Sequence, residues 1–174
     1  MATKQIDEII EALAQHSQVR DAKVLEWMQS DDIELQAAIV TLLSEHSSLV
    51  QPPLPGRDVF DFCLSYFRRC LLENPPEGEF TNNRTVEGFT LQNWFRQLWW
   101  NRDANSVLID TIKRTITEVY KSGDERTKYT VETAILEHLF EELDIEAYFS
   151  DWKRDPDLTG AYERAHEWGR AHRS

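Results

Sequence analysis

The stretch Asp58-Val59-Phe60-Asp61-Phe62-Cys63-Leu64-Ser65-Tyr66-Phe67-Arg68-Arg69-Cys70-Leu71-Leu72 decides the fold. At 100° per residue, Val59, Phe60, Phe62, Cys63, Leu64, Tyr66, Phe67, Cys70 and Leu71 cover an arc of about 200°. Only Asp61, Ser65, Arg68 and Arg69 hold the remaining side. A helix with so broad an apolar face is surrounded by others. The expected architecture is therefore all-α: a compact multi-helix bundle of about eight or nine helices around a central buried helix over 58–72.

Working outward, the preceding Gln51-Pro52-Pro53-Leu54-Pro55-Gly56 breaks the helical pattern and is the one plausible internal boundary. Residues 1–50 read as three short helices packed on a main body at 57–174, the whole forming one unit. Ile6, Ile9, Ile10 and Leu13 give the first an apolar stripe, and Ala22, Leu25 and Met28 mark a second over about 17–29. Asp31 followed by Glu34 resembles a capping box that opens the third, whose stripe is Leu35, Ala38, Ile39 and Leu42.

Downstream, a long loop with Asn74-Pro75-Pro76 precedes a helix at about 86–101 with Leu91, Trp94, Phe95, Leu98 and Trp99 on one face. Another follows over 104–121, carried by Leu108, Ile109, Ile112, Ile116 and Val119. After the turn at Ser122-Gly123-Asp124, a long helix is expected to run to about Leu143, then two shorter ones at 145–152 and 156–170, the last opening on Pro156. No period-two alternation and no repeat are evident.

The 174 residues include six Gly and six Pro, too few for a turn-rich β fold, and suffice to bury a core without staples. No apolar run approaches the roughly 18 residues of a membrane span. The first residues, Met1-Ala2-Thr3-Lys4-Gln5-Ile6-Asp7-Glu8, lack the character of a secretory signal. Cys63 and Cys70, seven apart on one helix, are separated by roughly 10 Å of rise, too far to bridge. A reducing, cytoplasmic setting is expected.

The net charge is −12. Residues 1–50 carry three basic and nine acidic groups, 51–102 six of each, and 103–174 ten and sixteen. Two acidic flanks around a neutral, aromatic-rich centre repel phosphate backbones and anionic membranes. The expectation is no nucleic acid, no membrane, and a basic protein partner.

Motifs for chemistry are sparse. His138 and Glu142 are four apart, but a His-Glu-x-x-His zinc motif is missing. Glu163-Arg164-Ala165-His166 supplies one Glu-x-x-His, where di-iron bundles need two and two further glutamates. The cysteines sit on the most apolar helix, where thiols pack as small hydrophobes. No nucleophile elbow, phosphate loop or dinucleotide fingerprint is present. No metal, cofactor or catalytic residue is assigned.

Two surface features remain. Glu137, Glu141 and Asp144 fall on the side of the long helix opposite Val131, Ile135, Leu136, Leu139, Phe140 and Leu143, with Glu146 just beyond. Carboxylates one turn apart repel by a few tenths of a kcal/mol (roughly), a cost that a basic partner relieves. Trp100 points away from the core side of its helix, and exposed tryptophan is a favoured interface anchor. Glu137, Glu141, Asp144, Glu146 and Trp100 are the expected partner-binding residues. The implied function is an acidic protein-binding module, of the physical type of an immunity protein or small inhibitor that neutralises a basic effector. Two alternatives stand beside it. One is an enzyme with a dispersed site of Asp61, Arg68, Arg69 and Glu132 (the last with Lys128 as its expected ion-pair partner). The other is a structural homo-oligomer that buries Trp100.

Overall fold

A computed structural model describes residues 2–173. The fold is all-α, with 77% of the chain helical. Contacts divide it into two compact units, Met1–Arg69 with Pro75–Asn83, and Cys70–Asn74 with Arg84–Ser174. Helix α4 runs from the first into the second. The stretch 51–56 thus lies inside the first unit, and Leu54 itself packs against that unit's core.

The first unit contains α1 (Ala2–Gln15), α2 (Asp21–Trp27), α3 (Ile33–Glu45) and most of α4 (Gly56–Glu73). Their stripes meet in a core of Ile9, Val24, Trp27, Leu35, Ala38, Ile39 and Leu42, with Val59 and Phe62 of α4 packed against it. The second helix is shorter than expected at its start, because Val19 and Arg20 form a strand, β1, paired in parallel with β2 (Val50–Gln51). Two residues are too few to show alternation in sequence.

The cap of α3 is Asp32, not Asp31: its side chain accepts from the Leu35 N–H at 2.9 Å. Glu34 does not reach back to complete a capping box. Its carboxylate accepts from the backbone N–H groups of Phe80 (2.7 Å) and Thr81 (3.0 Å) and from the Thr81 hydroxyl. Gly78 approaches so closely that a Cβ there would lie 2.2 Å from Glu34 Oε2. The loop 75–83 is thereby pinned to the start of α3.

The second unit contains α5 (Arg84–Trp99), α6 (Arg102–Ser122), α7 (Glu125–Thr130), α8 (Glu137–Leu139), α9 (Leu143–Tyr148) and α10 (Thr159–His172). Between α7 and α8, residues Val131–Leu136 are π-helical, and the Glu137 N–H bonds to the Glu132 carbonyl five residues back. Val131, Ala134, Ile135, Leu136, Leu139 and Phe140 are fully buried. Gly88 lets α5 lie close to this segment, since a Cβ there would sit 3.1 Å from the Ala134 methyl.

The expected long helix stops early. Gly169 of α10 packs against the Phe140 carbonyl, and the Arg173 guanidinium donates to that oxygen at 2.6 and 3.1 Å. A side chain thus satisfies a carbonyl that the next helical turn would otherwise bond. The chain restarts as α9, followed by a 3₁₀ segment, Ser150–Arg154. Pro156 stands in the turn, three residues before α10 begins.

Among the described residues no helix is long and apolar enough to cross a membrane.

Candidate functional site

Helix α5 is held along its whole length by the segment 124–144. At its start, Arg84 donates to Thr127 Oγ1 (2.9 Å) and pairs with Asp124 (3.3 Å). One turn before its end, Arg96 donates to the His138 carbonyl at 2.5 Å and pairs with Glu142 at 2.8 Å. At its last residue, the Trp99 indole N–H donates to Asp144 Oδ2 at 2.9 Å. Arg102 completes the junction, 3.6 Å from Asp144 and over the Trp99 ring at 5.1 Å.

Those bonds set the end of α5 beside the start of α9. Trp99 itself is buried and stacks on Phe95 at 5.9 Å, so the next residue, Trp100, is turned outward. Trp100 is 73% exposed, and Leu143, the neighbour of Asp144, is 66% exposed. Two large apolar side chains therefore face solvent at one corner of the unit, each next in sequence to a partner of the Trp99–Asp144 bond. The other tryptophans, Trp27, Trp94, Trp99, Trp152 and Trp168, are buried or partly buried. The expectation that Trp100 is outward-facing matches this placement.

The carboxylates fare differently. Asp144 lies beyond the helix break, in the first turn of α9, so Glu137, Glu141 and Asp144 do not form one helical face. The π-helical turn and the break at Phe140 both rotate the chain away from a uniform 3.6-residue wheel. Glu141 is half-exposed and pairs with His138 Nδ1 at 3.1 Å. The carboxylate of Glu137, also half-exposed, has no hydrogen-bond or ion-pair partner among the described residues. Burial raises its pKa, and Glu132 adds to the shift, against the opposing pull of His138 and His172.

Glu146 is corrected outright as a surface residue. It is 7% exposed, and its carboxylate is taken up by His166 Nδ1 (2.7 Å), the Tyr162 hydroxyl (3.1 Å) and Arg173. Burial opposes its ionisation, but the bonds from His166 and Arg173 outweigh that and hold its carboxyl below the usual range. Its sequence position gave no sign of these partners, which come from α10 and from Arg173 just after it.

Glu132, Asp61, Arg69 and His166, among the residues considered for chemistry, each hold a partner within the fold, whereas Arg68 is exposed. Glu132 receives a two-pronged bond from Arg164 (2.6 and 2.8 Å) and the Tyr120 hydroxyl (2.7 Å), while Lys128 pairs with Glu125 instead. Asp61 pairs with Arg57 at 3.0 Å, and Arg69 donates to the Asp31 carbonyl at 2.6 Å. Glu163 is exposed and its Glu-x-x-His companion His166 serves Glu146. Burial pushes the Cys63 thiol up to about 12, which disfavours the nucleophilic thiolate. Among the described residues no three His, Cys, Asp or Glu side chains are grouped so as to hold a metal. No family model, curated protein or solved structure matches this chain.

Proposed function

We propose that this chain is a protein-binding module that engages a basic partner at the corner formed by Trp100 and Leu143. The observation that carries the reading is the 73% exposure of Trp100 beside a 66% exposed Leu143. A large aromatic left in water is costly by the usual apolar-area arithmetic, and partly desolvated aromatic anchors dominate protein interfaces. The polar rim is already organised: Arg96–Glu142 and Arg102–Asp144 are paired. Glu141, two residues before Leu143, adds negative charge, and the Glu137 carboxylate on the preceding segment has no ion-pair partner among the described residues. A lysine or arginine from a partner would relieve it.

The net charge of −12 favours the same class of partner, by long-range attraction that speeds encounter and fades with salt. An inhibitor- or immunity-like role, in which an acidic module neutralises a basic effector, is the specific form of this reading. Charge reversal tests it: Glu137→Lys with Glu141→Lys is expected to weaken capture of the partner at least tenfold (~1.4 kcal/mol) at low salt, and less at high salt. Capture unchanged by that pair removes the electrostatic part of the proposal.

A further inference from the structure

Within the second unit a cavity of about 390 Å³ opens where three elements meet: Asn74 just after α4, Arg84 and Thr85 at the start of α5, and Glu125, Arg126 and Tyr129 on α7. The bonds that build it leave donors over. Asn74 Oδ1 accepts from the Arg84 N–H at 3.2 Å, and the Asn74 side-chain NH₂ has no acceptor among the described residues. Arg84, its side chain only 11% exposed, is clamped through Nη1 alone, to Thr127 Oγ1 and Asp124. Its Nε and Nη2 have no acceptor among the described residues. Arg126 lies three residues before Tyr129 and so beside it on α7. Among the described residues its guanidinium has no hydrogen-bond or ion-pair partner.

The charge here is the reverse of the chain's. Acidic residues outnumber basic ones by 31 to 19, yet this cavity is lined by two arginines and a single carboxylate. That carboxylate, Glu125, is 92% exposed and paired with Lys128 at 3.2 Å, and Asp124 does not border the cavity. Cationic donors without acceptors are the complement of an anion that accepts several bonds. A phosphomonoester has that chemistry, with three acceptor oxygens and close to two negative charges at neutral pH. The volume falls in the range of small-molecule sites, so an organic group fits as well as the phosphate. Tyr129, 68% exposed and free of ring contacts among the described residues, offers a planar face on which a second ring can stack.

We infer that this cavity takes a small phosphomonoester that carries a planar ring, a nucleoside monophosphate being the chemical type. Arg126 and the Nη2 of Arg84 hold the phosphate, and the ring lies on Tyr129. The net charge of −12 repels a polyanion, but a single phosphate is governed by the charges within about 10 Å, the screening distance at 0.1 M salt. The site is separate from the Trp100 corner and does not depend on it.

The probes are AMP and phenyl phosphate, titrated calorimetrically into the full chain, with inorganic phosphate as the ringless control. Saturable binding at least tenfold tighter than that of inorganic phosphate is expected. Arg126→Gln should weaken it at least tenfold without moving the unfolding midpoint, because that guanidinium has no native partner. Arg84 is left intact, since it also ties α5 to α7. Tyr129→Ala should bring the probes down to the affinity of inorganic phosphate, and Trp100→Ala should change nothing. Saturable binding of neither probe, binding no tighter than that of inorganic phosphate, or indifference to Arg126→Gln would overturn the proposal.

Discussion

The indole N–H of Trp99 donates to Asp144 Oδ2 at 2.9 Å, and this bond fixes the corner at which Trp100 and Leu143 meet solvent. Asp144→Ala leaves that N–H, on a residue 6% exposed, without its acceptor. The expected loss is about 1–3 kcal/mol in urea unfolding, the penalty for orphaning a largely buried donor. Asp144→Asn keeps an acceptor oxygen and should lose less. Equal losses in the two variants would assign the effect to the Arg102 ion pair and not to the indole bond.

Gly169 is required by contact and not by turn geometry. A Cβ at this position would lie 2.3 Å from the Phe140 carbonyl oxygen. Backbone cannot move aside as a flexible side chain would, so Gly169→Ala should destabilise the second unit by about 2–4 kcal/mol, as severe overpacking does. Gly56→Ala is the control, because nothing lies within 4 Å of the added methyl. It should be neutral or slightly stabilising through the unfolded chain. Thermal unfolding of both variants decides the matter, and similar midpoints would contradict the close approach.

Acid should unfold the protein through its bound carboxylates. At Glu34, Glu132 and Glu146 burial raises the pKa, but hydrogen bonds outweigh it and leave each below the ordinary 4.5. A depressed folded-state pKa means stability that is present above the unfolded value and is lost as pH falls through the folded one. Urea midpoints should therefore drop as pH falls below about 4.5. Glu146→Gln should be less stable at neutral pH and show a shallower acid loss. A parallel acid loss in wild type and variant would contradict the linkage.

Glu137 carries the opposite sign. Burial raises its pKa with no hydrogen bond to compensate, so its stabilising contribution is present only while it is protonated, at low pH. That contribution is lost as pH rises through the folded pKa. Glu137→Gln should consequently raise the urea midpoint at pH 7 and leave it nearly unchanged near pH 3. A lower midpoint at pH 7 would mean that the carboxylate has a native partner.

The helices were legible because their stripes follow simple periodicity: Ile9, Leu35, Ile39, Leu91, Ile112 and Ile116 all lie in cores. What periodicity concealed is long-range. The π-helical turn at Val131–Leu136 has no residue signature, and the break after Leu139 depends on Gly169 and Arg173, some thirty residues away. One wheel drawn through 125–143 therefore aligned Glu137, Glu141 and Asp144 on a face that does not exist. Glu34 read as a capping-box residue and Glu146 as a surface charge for the same reason, since their partners arrive from the loop at Phe80–Thr81 and from α10. The outward direction of Trp100 was legible because it is local, set by Trp99 turning inward beside it.

Trp100 decides the central claim. Being 73% exposed, it supports little of the fold, so Trp100→Ala should leave the unfolding midpoint within about 0.5 kcal/mol of wild type. The direct measurement places a photo-crosslinking amino acid at Leu143 in cells that naturally produce the chain and identifies the adduct by mass spectrometry. The account predicts one basic protein, joined at this corner, with the adduct lost in Trp100→Ala. An adduct consisting only of two copies of this chain, or one that persists unchanged in Trp100→Ala, would contradict it.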